Sequence, residues 1–121
     1  MVRKSKSEKG SRKSSRLDRL VQKSIGDIWK NITKYPSSVY FMIPVDPVEL
    51  EIPDYFDVIK EPMDLGTCTE QLQKSGHYPR LESFVNDVRL VWKNAFIFNA
   101  PDSLYFKAAK TLSDVFEKRV E

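Results

Sequence analysis

The chain is poor in the residues that most reaction chemistry needs. It has one cysteine, Cys68, and one histidine, His77. A lone cysteine cannot close an internal disulfide, and one residue of each kind cannot assemble a zinc site by the usual Cys/His spacing. The four glycines, Gly10, Gly26, Gly66 and Gly76, are scattered, so no phosphate-cradling loop is present. No Ser/His/Asp or Cys/His set suits nucleophilic catalysis. His77 sits in a Gly-His-Tyr-Pro turn and reads as an exposed loop residue. Cys68, one helical step from Leu65 and from Leu72, reads as a small core residue. The carboxylate pairs Glu49/Glu51 and Asp54/Asp57 fall on loop sequence, where acids are ordinarily solvated. The expectation is no enzyme: no catalytic residue, no metal ligand and no cofactor. No uninterrupted apolar stretch of about 18 residues occurs, so no membrane span is expected. The first residues lack the apolar segment and small-residue cleavage pattern of a secretory signal. A reducing interior, cytoplasm or nucleus, fits this cysteine usage.

What is present points to one small domain. A chain of 121 residues, 40% hydrophobic, with two tryptophans, five tyrosines and seven phenylalanines can bury one continuous core. The start differs. Met1 to Ser14 holds six basic residues (Arg3, Lys4, Lys6, Lys9, Arg12, Lys13) and one acid, Glu8. That segment carries +5 of a total of +3, which leaves −2 for the remainder. The basic character belongs to the tail, and the folded part is mildly acidic. Residues 1–14 are too charged and too poor in apolar groups to offset the entropy of ordering, and are expected to be disordered. They read either as a solvated arm or as a basic patch for nuclear import or non-specific nucleic-acid contact. The folded domain is expected over 15–121.

Within it, helical periodicity dominates. Leu17, Leu20, Val21, Ile25, Ile28, Trp29 and Ile32 form one apolar face of a first helix, about Ser15 to Lys34, stopped by Tyr35-Pro36. Asp64 is a suitable N-cap for a second helix whose inward face is Leu65, Cys68 and Leu72 and whose end is Gly76. A third runs from about Leu81 to Phe98 on the stripe Leu81, Phe84, Val85, Val88, Val91, Trp92 and Ala95. Asp102 or Ser103 caps a fourth, to Val120, with Tyr105, Ala109, Leu112, Val115 and Phe116 facing in. Four single-stripe helices make an all-α four-helix bundle. Between the first two lies an interval of about 28 residues, Pro36 to Met63, with five prolines and many apolar side chains. A loop that long in a compact domain is usually functional, and one this apolar is expected to pack against something.

Asn99 ends the third helix ahead of Ala100-Pro101. On local grounds it reads as a helix C-cap asparagine in the left-handed conformation. The other reading is a neutral recognition group, two donors and an acceptor, at the rim of an apolar cavity.

Four blocks bring in a further argument: Ile43-Pro44-Val45-Asp46-Pro47, Ile52-Pro53-Asp54-Tyr55-Phe56-Asp57-Val58-Ile59, Glu61-Pro62-Met63-Asp64-Leu65 and Phe98-Asn99-Ala100-Pro101. In order and spacing, over about Leu17 to Val120, the sequence resembles a bromodomain. The resemblance implies a left-handed four-helix bundle in which the long loop (ZA) and the short loop between the third and fourth helices (BC) frame a pocket for acetyl-lysine. It implies binding of acetylated histone tails or other acetyl-lysine peptides, chromatin association and the nucleus. Carried over, Asn99 matches the asparagine that donates to the acetyl carbonyl, and Tyr55 the tyrosine that reaches it through an ordered water. Val45, Leu50 and Ile52 match the apolar wall, and Pro44 is counted with them among the acetyl-lysine-binding residues. Phe41 matches the floor near the acetyl methyl, Tyr105 the gatekeeper, and Phe98 the residue ahead of the asparagine. Two positions depart from the pattern: the Trp-Pro-Phe shelf reads Val39-Tyr40-Phe41, and Phe98 stands where a tyrosine is common.

Two alternatives remain. One is a helical module associated with nucleic acid through residues 1–14. The other is a bundle that keeps the fold without the pocket. The loop acids Glu49, Glu51, Asp54, Asp57 and Glu61, with Asp102, are either solvated or attract Lys/Arg-rich tails.

Overall fold

In the computed structural model, which describes residues 2–73, 78 and 80–120, all regular structure among the described residues is helical. Helix α1 spans Val2–Thr33, and a 3-10 segment follows at Pro36–Phe41. A single turn, α2, covers Tyr55–Val58; α3 is Leu65–Gln73, α4 is Leu81–Phe98 and α5 is Leu104–Val120. Helix α4 packs on α1, α3 and α5, and α1 also packs on α5, which makes these four helices the expected bundle with α4 at its centre. No helix among the described residues is long and apolar enough to cross a membrane.

Local chemistry sets the helix ends. Tyr35, held in extended backbone (φ −81°, ψ 128°) by the proline after it, separates α1 from the 3-10 segment. Asp64 caps α3: its Oδ2 accepts from the Thr67 amide at 2.9 Å and its Oδ1 from the Thr67 hydroxyl at 2.6 Å. At α5 it is Ser103 rather than Asp102 that caps, its Oγ accepting from the Phe106 amide at 3.1 Å.

The inward stripes meet in one core. Ile25 and Ile32 of α1, Leu65 and Cys68 of α3, Phe84 and Val88 of α4, and Ala109, Leu112 and Phe116 of α5 are fully buried. Trp92 lies among them, edge-on to Phe41 at 5.5 Å and to Phe116 at 6.4 Å. Burial pushes the Cys68 thiol up to about 12, which fits an inert core side chain. Behind it the Tyr78 hydroxyl donates to Asp87 Oδ2 at 2.6 Å, and the Gln22 side chain donates to the Tyr78 carbonyl at 2.9 Å.

The structure departs from the sequence reading at several points. Helix α1 begins at Val2 and not near Ser15. A helix already nucleated extends at the cost of one residue per added hydrogen bond, and needs no apolar face to do so. Leu20 is 57% exposed, and the first core residue of α1 is Ile25. Tyr105, assigned to the inward face of α5, is 40% exposed. The expectation that the long loop packs its apolar residues holds only in part. Phe41, Tyr55 and Ile59 are buried, whereas Val39, Ile43, Val48, Leu50, Phe56 and Val58 are exposed. The assignments to Gly76 and His77 lie outside the described residues.

Candidate functional site

At one end of the bundle the long loop stands off the helices and encloses a cavity of about 80 Å³ between itself, the end of α4 and the start of α5. Its shape follows from how the loop is tied. Asp46 folds the loop on itself: its Oδ1 accepts from the amides of Val48 and Glu49 at 3.1 and 3.2 Å, and its carbonyl from Leu50 at 3.0 Å. Ile52 then donates to the Pro47 carbonyl at 2.9 Å. Closing so tight a knot forces Glu51 into the left-handed region (φ 57°), a strained conformation for a residue with a side chain. The result is that Val45, Leu50 and Ile52 form one wall of the cavity.

Two further ties hold the loop to the bundle. Asn94, buried on α4, donates from Nδ2 to the Glu61 carbonyl at 2.8 Å. At the start of α3, Gly66 lies against the Met42 carbonyl so closely that a Cβ there would stand 2.2 Å from its oxygen. Only glycine permits that approach, and Met42 follows directly on Phe41, which lines the cavity.

The remaining sides come from the helices. Phe41 lines the cavity and braces against Trp92. Tyr55 is buried, 4.8 Å edge-on from Phe98, and burial raises its hydroxyl above the ordinary tyrosine range, so it stays a protonated O–H at neutral pH. Tyr105 closes the α5 side, edge-on to Tyr40 at 5.3 Å. Asn99 sits at the end of α4. Its Nδ2 donates to the Ala95 carbonyl at 3.0 Å, and its backbone amide to the same carbonyl at 3.1 Å. That bond fixes the plane of the side-chain amide while using one of its two N–H groups. Asn99 does cap the helix, but in extended backbone (φ −97°, ψ 147°), not the left-handed conformation expected of it. The lining contains no charged side chain.

Of the residues singled out from the sequence, Asn99, Tyr55, Phe41 and Phe98 come together here. So do Val45, Leu50, Ile52 and Tyr105. Pro44 does not. It is exposed and lies on an adjoining depression with Phe56, Pro62 and Thr67, which shares Val45, Tyr55 and Met63 with the cavity. Sequence reasoning missed Tyr40, Met63, Val91, Asn94 and Ala95 as lining residues. For Asn94 a signal existed: it falls three residues after Val91 and beside Ala95, on the buried stripe, where an asparagine needs a partner. Among the described residues no cluster of His, Cys, Asp or Glu could hold a metal ion.

Comparison with known proteins points to one family. The family model for the bromodomain matches residues 25–111. An ankyrin repeat, bromo and BTB domain-containing protein of Dictyostelium discoideum is 48% identical over 86 residues, 71% of this chain and 10% of that protein. The SWR1 complex bromodomain subunit bdf1 of Schizosaccharomyces pombe is 38% identical over 111 residues, 91% of this chain and 19% of that protein. Histone acetyltransferase GCN5 of Oryza sativa subsp. japonica is 37% identical over 91 residues, 75% of this chain and 17% of that protein. The chain thus spans no more than about a fifth of any of these three relatives. A match over most of the helical bundle, with the cavity-forming loop inside it, settles the family: this chain belongs to the bromodomains.

Proposed function

We propose that the cavity binds acetyl-lysine, and that the protein reads this mark on histone tails or other acetylated proteins in the nucleus. The observation that carries the reading is an uncharged, largely apolar cavity whose wall includes the neutral hydrogen-bonding groups Asn99 and Tyr55. Acetylation converts a lysine ammonium into a neutral amide. Moving an unpaired ammonium into such a cavity costs several kcal/mol even after relaxation, and no carboxylate lines it to compensate. The amide costs far less once its carbonyl finds a donor. The second N–H of Asn99 supplies one, and the Tyr55 hydroxyl, through a water, a second. Each such bond contributes about 0.5–1.5 kcal/mol net. Burying the acetyl methyl and part of the stem adds about 2–3 kcal/mol at roughly 0.8 per carbon. Association entropy offsets much of this, so one mark binds weakly and selectivity comes from the penalty on charge. The relatives named as an SWR1 complex subunit and a histone acetyltransferase support a chromatin setting.

The test is a titration of isotope-labelled protein with paired histone-tail peptides, acetylated and unmodified. The acetylated peptides should shift the Asn99 side-chain amide and the Tyr55 resonances, and the unmodified ones should leave both in place. Equal shifts from both members of a pair would end the proposal.

A further inference from the structure

Two parts of the chain carry opposite charge. One is the segment 1–14, with six bases against one acid, in which the triplet Arg-Lys-Ser occurs twice, at Arg3-Lys4-Ser5 and at Arg12-Lys13-Ser14. The other is the loop that walls the cavity, where Asp46, Glu49, Glu51, Asp54, Asp57 and Glu61 are all exposed. From Asp46 to Glu61 only Lys60 opposes them, and among the described residues none of the six is within ion-pair distance of a cation. These two parts lie toward opposite ends of α1. The helix runs from Val2 to Thr33 and hands the chain to the 3-10 segment, whose Tyr40 and Phe41 line the cavity. At 1.5 Å per helical residue, Lys13 stands about 30 Å and Lys4 about 44 Å back along the axis from Thr33, on the side away from the cavity.

We propose that Lys4 and Lys13 are acetylation sites, and that the acetyl-lysine formed there enters the cavity of a second copy of this chain. The inference rests on the acetyl-lysine reading and names a partner for the same cavity. The acetyl donor is an acetyl thioester. The deprotonated Nζ attacks its carbonyl, the N–C bond forms as the C–S bond breaks, and the proton lost from nitrogen leaves with the thiol. Charge argues for this occupant. Acetylating both lysines lowers the segment from +5 to 5 − 2 = +3, so it is still attracted to the acidic loop. Arg3 and Arg12 keep a cation directly ahead of the mark, whereas Lys6 follows Ser5 and Lys9 follows Glu8. Distance argues for a second copy, since α1 carries both lysines away from the cavity of their own chain. Two copies can serve each other reciprocally, so that two weak contacts hold one symmetric dimer.

The test uses the whole chain with Nε-acetyl-lysine installed at position 4 or at position 13, followed by sedimentation velocity. Nε-acetyl-lysine methylamide serves as the minimal ligand. Either acetylated chain should dimerise as its concentration rises, while the unmodified chain stays monomeric. An excess of the minimal ligand should disperse the dimer, and raising salt from about 50 to about 500 mM should weaken it about tenfold. Acetylated chain that also carries Asn99→Ala should not self-associate, yet it should still form a complex with unmodified parent, whose cavity is intact. Lys4→Arg with Lys13→Arg should bind the minimal ligand as the parent does and, after treatment with an acetyl thioester, stay monomeric. If both acetylated chains remain monomeric while the minimal ligand still binds, self-recognition is overturned and the reader assignment stands. Occupancy of the cavity that does not depend on chain concentration also overturns it, because each chain is then reading its own mark. Failure of the minimal ligand itself to bind overturns both.

Discussion

Helix α4 and the loop from Pro36 to Met63 are both rich in large apolar residues, yet they use them in opposite ways. On α4, Phe84, Val88 and Trp92 are sealed in the core. On the loop, Ile43 is 73% and Val48 87% exposed. The helix is held by burial. The loop buries only Phe41, Tyr55 and Ile59 and is otherwise held by polar ties and close contacts: the Asp46 turn, the Asn94 bond to the Glu61 carbonyl and the approach of the Met42 carbonyl to Gly66. Because those ties fix the loop without filling the space beneath it, an apolar wall survives next to an open cavity. Burial stabilises the fold, and restrained non-burial leaves room for a ligand.

That contrast can be broken by substitution, and the largest effect belongs to the core. Phe84→Ala should cost about 3–5 kcal/mol in urea unfolding, with ligand affinity of the folded fraction unchanged. Gly66→Ala comes next. Its added methyl has to displace the Met42 carbonyl, at about 1–3 kcal/mol, and acetyl-lysine affinity should fall with it because the floor and wall move together. If Gly66→Ala lowers stability but spares affinity, the loop is not tied in the manner described. A smaller effect appears with alkali. The Cys68 thiol, pushed up to about 12 by burial, keeps its proton in the fold while the unfolded chain releases it near pH 9. Its contribution is therefore complete below pH 9 and is lost as pH climbs from 9 toward 12, at about 1.4 kcal/mol per pH unit per proton. Tyr55, also raised, adds to the loss above about pH 10. Urea midpoints across pH 8–11 should fall with that slope, and Cys68→Ala should remove the part that begins near 9. The smallest effect is expected of Val48→Ser, within about 0.5 kcal/mol and with no change in binding. A loss of several kcal/mol there would mean that the exposed part of the loop is also stabilised by burial.

The helices were legible because their ends carry specific chemistry. Asp64, Ser103 and the Tyr35-Pro36 pair each announce a boundary, and the α4 stripe gives Leu81–Phe98 directly. Periodicity was less informative about which parts of a stripe find a partner. Leu20 and Tyr105 keep the helical spacing yet stand exposed, Tyr105 on the rim of the cavity. The loop had no period to read. Its residues could be placed only through the resemblance to a family, which brought Val45, Leu50 and Ile52 to the cavity but also counted Pro44 among the binding residues, whereas Pro44 lies outside it. Asn94 went unnoticed because a polar residue on a helix looks like surface until the carbonyl it serves, 33 residues earlier in the chain, is seen beside it.

The central claim is that the cavity accepts a neutral capped amine and refuses a cation, with Asn99 donating to the ligand. Calorimetric titration of one histone-tail peptide, with and without a single acetyl-lysine, into the parent protein and Asn99→Ala tests it most directly. The account predicts measurable binding only of the acetylated peptide, weakened about ten- to a hundredfold by Asn99→Ala, as expected when a carbonyl buried from water loses its donor. Undiminished binding by Asn99→Ala, or equal affinity for the unmodified peptide, would contradict it.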